Sequence, residues 1–271
     1  MDILHYTFFQ NALWASLLIS IACGIVGTYI VSRRMVFISG GITHATFGGL
    51  GMGFYLGINP LLSAFLFAFL AAFGVEYLSR SGSYRRIRED SAIAAVWSLG
   101  MAIGVIFIFL TPGYAPNLSA YLFGNILTVT SNDLLWMAFL SISLIALYVV
   151  GKKTIVYTAF DRDFAITQRL PVRKIEYLMM FFIAATIVLS IRLAGIMLLM
   201  SMLTIPQMTV NLFTSNYHKI TIGSCIVGLF GCISGLMLSY FFNIPSGAFI
   251  ILIQLLLFLL AKIFRPIFAR T

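Results

Sequence analysis

Phe160-Asp161-Arg162-Asp163-Phe164-Ala165-Ile166-Thr167-Gln168-Arg169-Leu170-Pro171-Val172 is a polar interruption in an otherwise apolar sequence. Apolar runs lie on both sides, and basic residues bracket it: Lys152 and Lys153 before, Arg173 and Lys174 after. A chain made almost wholly for lipid keeps such a segment where something in water touches it. The plainer alternative is a solvated loop with a short interfacial helix.

Around that segment the composition is that of a membrane protein. Residues of the hydrophobic set make up 61% of the chain and charged residues 9%, where a soluble domain carries about a quarter charged. A spanning helix needs about 20 mainly apolar residues, so 271 residues hold eight or nine spans and little else. The expected fold is all-α: a polytopic membrane helix bundle, one transmembrane domain over 1–271, with a short cytoplasmic coupling helix within 160–172. The net charge of +9 comes from short loop clusters, which the positive-inside rule explains better than a nucleic-acid partner does. Met1 to His5 carries no Lys or Arg ahead of the first apolar run and does not read as a cleaved signal peptide. Cys23, Cys225 and Cys232 all lie inside apolar runs and read as small buried residues.

Spans are expected at about 8–31, 42–56, 61–78, 92–110, 134–150, 175–190, 194–213, 220–242 and 248–264, with the seventh interrupted by Pro206. Residues 117–129 are too short and broken to cross, and read as re-entrant or interfacial. With the amino terminus outside, nine crossings place the carboxyl terminus in the cytoplasm. Of the 17 Lys and Arg residues, all but Arg192 then fall on the cytoplasmic side.

Small residues recur four apart at Ala45, Gly49, Gly53 and Gly57, and again at Gly231 and Gly235, a spacing that lets helix backbones pack closely in lipid. His44, beside Thr43, falls near the middle of the second span, where an ionisable residue is a functional candidate and neutral imidazole a ligand for transition metals. A histidine hydrogen-bonded to a neighbouring carbonyl is the plain alternative. Beyond Pro206, Gln207, Thr209 and Asn211 could bond ions or water; a broken helix is tolerated in lipid where it is buried in protein or lines a cavity. Glu76 reads as an i,i+4 partner of Arg80, and Asp90 and Asp133 as helix-capping residues. No carboxylate is expected at mid-membrane, where gradient-driven carriers commonly use one. The chain also has no Gly-rich phosphate loop followed by Lys and Ser or Thr. Its energy source is therefore expected to be another chain.

In order along the sequence, five segments resemble the integral-membrane permease subunit of zinc/manganese/iron-uptake ABC transporters. They are Arg33-Arg34-Met35-Val36-Phe37 with Thr43-His44-Ala45, then Glu89-Asp90-Ser91-Ala92-Ile93, then Tyr121 to Leu127, Phe160 to Ala165, and Ile205-Pro206. The resemblance implies a transport subunit, not an enzyme, that imports a divalent metal cation by alternating access and holds no permanent cofactor. It implies a homodimer in the bacterial inner membrane, a cytoplasmic ATPase and an extracytoplasmic metal-binding protein. Asp161, Arg162, Asp163, Phe164 and Ala165 would be the ATPase coupling residues; His44, Thr43, Asn125, Gln207 and Asn211 are candidates for the metal pathway. Two positions depart from the family pattern: Gly40 stands where an aspartate is usual, and Arg169 where a glycine is usual. The rival readings are a secondary carrier or exporter of a small organic solute, disfavoured by the missing midplane carboxylates, and a membrane-embedded enzyme. The scattered histidines His5, His44 and His218 do not support the enzyme.

Overall fold

The computed structural model describes residues 6–80, 88–112, 124, 126–242 and 244–268, and among them every regular element is helical. The elements are α1 (Thr7–Ser32), α2 (Val36–Leu56), α3 (Pro60–Arg80), α4 (Glu89–Leu110), a 3-10 turn (Ile126–Thr128), α5 (Ser131–Phe160), α6 (Arg162–Thr167), α7 (Val172–Met202), α8 (Ile205–Asn211), α9 (Tyr217–Phe242) and α10 (Ser246–Phe268). Eight segments within them are long and apolar enough to cross a membrane. The Gly-rich α2, read as a ninth span, is not among those eight. It lies inside the bundle, buried from Ile38 to Thr43 and again from Ala45 to Gly51.

The bundle has two halves, and one helix packs extensively on both. Helix α2 packs along α3 and α4, while α1 packs along α5 and α9, and α9 along α10. Helix α7 touches α1, α2, α3, α5 and α10, and so belongs to both halves. Helix α1 runs through the middle, with Phe9, Ala12, Ala15, Ile19, Ala22, Val26 and Ile30 all buried.

The expected interruption before Pro206 is present, and a second break falls at Gly195. Gly195 leaves the helix inside α7 (φ 76°, ψ 166°), and Thr204 (φ −131°, ψ −52°) separates α7 from α8. Pro206 sits in the first turn of α8, where its missing N–H would have no helical partner in any case. The span is thus interrupted just before the proline, which opens the second piece. Gly124 (φ 63°) lies against the Gly195 break: a Cβ on it would stand 2.2 Å from the Gly195 nitrogen.

Two capping expectations resolve differently. Asp90 does not cap α4; the N-cap is Arg88, and Asp90 lies exposed beside its guanidinium at 3.7 Å. Asp133 belongs to a full capping box. Thr130 Oγ1 accepts from the Asp133 N–H at 3.3 Å, and Asp133 Oδ2 accepts from the Thr130 N–H at 3.2 Å.

The small-residue stripe does the packing expected of it at Gly49 and Gly53. A Cβ at Gly49 would lie 2.5 Å from the Ser63 carbonyl of α3, and one at Gly53 would lie 2.8 Å from Pro60 Cα. Gly231 and Gly235 likewise face Gln254 and Ile250 of α10. Gly57 is a correction. A Cβ there would meet nothing within 4 Å, and its positive φ of 65° ends α2 in a left-handed C-cap. Gly49→Leu is expected to destabilise the bundle by about 2 kcal/mol or more through overpacking. Gly74→Ala in α3, where a Cβ also meets nothing, is expected to raise stability by about 0.5–1 kcal/mol. Thermal unfolding of the detergent-solubilised variants checks both.

Candidate functional site

The polar segment folds as the short helix α6, set between the ends of two long ones. Helix α5 has 30 residues, about 45 Å at 1.5 Å each, and so outruns a hydrocarbon core of about 30 Å. Asp161 ends α5 and opens α6: its own N–H donates to the Tyr157 carbonyl, and its Oδ1 accepts from the Phe164 N–H at 2.9 Å. Arg169 closes the turn after α6 with a left-handed backbone (φ 54°), bringing the Leu170 N–H to the Ala165 carbonyl at 3.2 Å.

The side chains of α6 divide by face. Ala165 is fully buried against the chain's own bundle, so this member of the expected coupling set does not offer its side chain to a partner. Asp161, Asp163, Phe164 and Ile166 are exposed, with Phe164 held edge-on to Tyr157 at 5.5 Å. Arg162 is half-buried, its Nε donating to Glu176 Oε1 of α7 at 3.0 Å. The same oxygen accepts from Arg33 Nη1 at 2.9 Å, and Arg33 also donates to the Tyr29 hydroxyl at 3.1 Å. Burial opposes the charge on Arg33, but Tyr29 and the carboxylates of Glu176 and Glu76 outweigh it and raise its pKa. Glu76, read as an i,i+4 partner of Arg80, is buried.

The sequence reading passed over Glu176. The available signal was a single carboxylate entering the apolar run after Lys174, with Arg33 opposite in need of a counter-charge.

The intramembrane candidates do not form one cluster. His44 stacks on Trp97 of α4 (4.3 Å between centroids, 11° between planes), and its Nδ1 lies 3.3 Å from Met101 Sδ. An imidazole nitrogen beside a thioether sulfur can hold a transition-metal cation. One turn earlier, a Cβ at Gly40 would lie 2.9 Å from the Trp97 ring and 3.1 Å from Met200 Cε. Thr43 is buried and spends its hydroxyl on the Ser39 carbonyl of its own helix. Gln207 is buried away from His44, its Nε2 donating to the Cys23 carbonyl of α1 at 2.8 Å and pinning the start of α8. Asn211 is exposed at the end of α8, and Asn125 lies outside the described residues. His218 is exposed and bonded to the Tyr148 hydroxyl at 2.9 Å.

Residues 5–265 match the model of the ABC 3 transport family. The chain belongs to that family. An uncharacterised membrane protein of Synechocystis sp. is 40% identical over 262 residues, covering 97% of this chain and 92% of that protein. The manganese transport system membrane protein MntC of Listeria monocytogenes is 31% identical over 264 residues, covering 97% and 93%. The solved structure of PsaBC from Streptococcus pneumoniae in complex with Fab is similar with a TM-score of 0.83 and 28% identity, over 96% of this chain and 92% of that one.

Within this ABC 3 family member the left-handed Arg169 is a local strain, since a Cβ disfavours that conformation by roughly 1–2 kcal/mol. Arg169→Gly is therefore expected to raise stability by about 1 kcal/mol without moving α6. Thermal unfolding of the two proteins side by side measures it.

Proposed function

We propose that this chain is the permease subunit of an ATP-driven importer of a divalent metal cation (zinc, manganese or iron), moved by a separate ATPase seated on α6. The observation that carries the reading is α6 itself: a short helix between the ends of α5 and α7, fastened through Ala165 and Arg162, with Phe164 and two aspartates exposed. An apolar anchor rimmed by polar groups is what a docking groove takes. Membership of a transport family and the relative named for manganese transport support the class and the cargo. His44 beside Met101, read as part of the cation path, supports a metal rather than an organic solute.

In this reading the amino terminus lies outside and the carboxyl terminus in the cytoplasm, the side on which α6 would meet the ATPase. Arg33 at the end of α1 meets Arg162 of α6 through Glu176, so these ends share one side. Asn11 near the start of α1 bonds the Val129 carbonyl just ahead of α5, on the opposite side. A dimer of such permeases would carry two ATPases and take its ion from an extracytoplasmic binding protein. Helix α4 presents Ala94, Ala95, Ser98 and Ala102 outward, and small side chains of that kind suit contact between subunits in lipid. Closure of the ATPase pair would tilt the spans and alternate access to the path.

The test is affinity purification of the tagged chain in mild detergent, with ATPase assay of what comes with it. A soluble ATPase is expected to copurify, and Asp161→Ala with Phe164→Ala to weaken its retention on the order of tenfold or more. His44→Ala is expected to leave the ATPase bound and to lower metal uptake by about tenfold or more. A chain that purifies alone and transports on an ion gradient would overturn the reading in favour of a secondary carrier.

A further inference from the structure

Three elements distant in sequence meet at one buried oxygen. Glu176 of α7 is fully buried, and its Oε1 accepts from Arg33 Nη1 at 2.9 Å and from Arg162 Nε at 3.0 Å. Arg33 closes α1 and its side chain is 12% exposed; Arg162 opens α6 and its side chain is 38% exposed. Charge-assisted bonds to one carboxylate oxygen hold two guanidinia that would otherwise repel each other at close quarters. Tyr29 completes the setting, its hydroxyl on Arg33 at 3.1 Å and its ring 5.9 Å from the Arg33 guanidinium carbon.

The placement gives this junction a mechanical meaning. Helix α6 has six residues, too few to hold an orientation by helix stability alone. Asp161 ties it to the end of α5, and Ala165 seats it on the bundle. The bond from Arg162 to Glu176 reaches α7, and through the shared oxygen α1. Helix α7 is in turn the element common to both halves of the bundle. Glu176 lies 19 residues before Gly195, about 28 Å along a helix, so junction and break stand at opposite ends of one membrane span.

We infer that Glu176 is a positioning residue: it locks α6 to α1 and α7, so that a displacement of the docking helix moves both spans and reaches the break at Gly195. The inference rests on the reading of α6 as the ATPase-docking helix. With Glu176 neutral, the docking helix can move while α1 and α7 stay behind.

The experiment uses the permease with its copurified ATPase, and reads ATP hydrolysed per zinc or manganese ion taken up. Glu176→Gln is expected to keep the ATPase bound, to hold hydrolysis within about twofold of the wild type, and to raise the ratio on the order of tenfold, within the range of known couplings. A merely structural role predicts something different. There the defect would come from two facing guanidinia, so Arg33→Gln added to Glu176→Gln would restore uptake; the positioning role predicts that the double variant stays uncoupled. Should Glu176→Gln not fold, Arg33→Gln alone cuts the tie to α1 while leaving the Arg162–Glu176 pair, and is expected to raise the ratio as well. A wild-type ratio in these single variants, or restored uptake in the double variant, overturns the inference. A wild-type chain that brings down no ATPase overturns the docking reading itself, a result distinguishable from failure of the junction alone.

Discussion

An apolar side chain gains almost nothing by exchanging lipid for a neighbouring helix, so a membrane bundle depends on how closely its backbones approach. Helix α2 answers that constraint with glycine. Added Cβ atoms at Gly48 and Gly51 would stand 2.7 and 2.5 Å from the carbonyls of Gly100 and Gly104 in α4, and Gly49 faces α3 just as tightly. The small residues of α2 are those that let α3 and α4 enclose it. Close contact on both flanks then fixes where His44, Trp97 and Met101 meet, since all three project from the α2–α4 seam.

The second constraint is polar. Backbone groups have no water to turn to in the hydrocarbon layer, so irregular chain survives there only against other protein. The two breaks near the end of α7 meet this demand differently. At Gly195 the neighbouring backbone of Gly124 closes in. At Thr204 the buried Gln207 amide reaches the carbonyls of Cys23 and Met202, at 2.8 and 3.3 Å, and joins α8 to α1. A polar side chain picked out as a pathway candidate thus has structural work beside it.

Most of the architecture was legible because it follows from one-dimensional signals: apolar length, loop charge and small-residue spacing. Gly49, Gly53, Gly231 and Gly235 pack as their spacing implies, and the polar segment does form a helix. What was not legible depends on partners distant in sequence. Glu176 looks like an ordinary interfacial carboxylate until Arg33, 143 residues earlier, is placed against it. Ala165 reads as part of an exposed docking face until the bundle covers it. Pro206 does mark an interruption, but the further break at Gly195 has no such signal in the sequence. Gly57 fits a stripe by spacing but serves the end of its helix.

The two departures from the family pattern carry different physical weight. At Arg169 the backbone adopts the left-handed turn that a glycine would take freely, and the hydrogen bond from Leu170 to Ala165 forms regardless. The side chain adds strain there and leaves the path of the chain unchanged. At Gly40 the difference is chemical. The space a side chain would need is held by Trp97 and Met200, so a carboxylate could not enter without displacing them. The groups left beside His44 are a thioether and an aromatic face. A change of residue at position 169 thus alters energy at constant geometry, and one at position 40 must also displace the side chains packed against it.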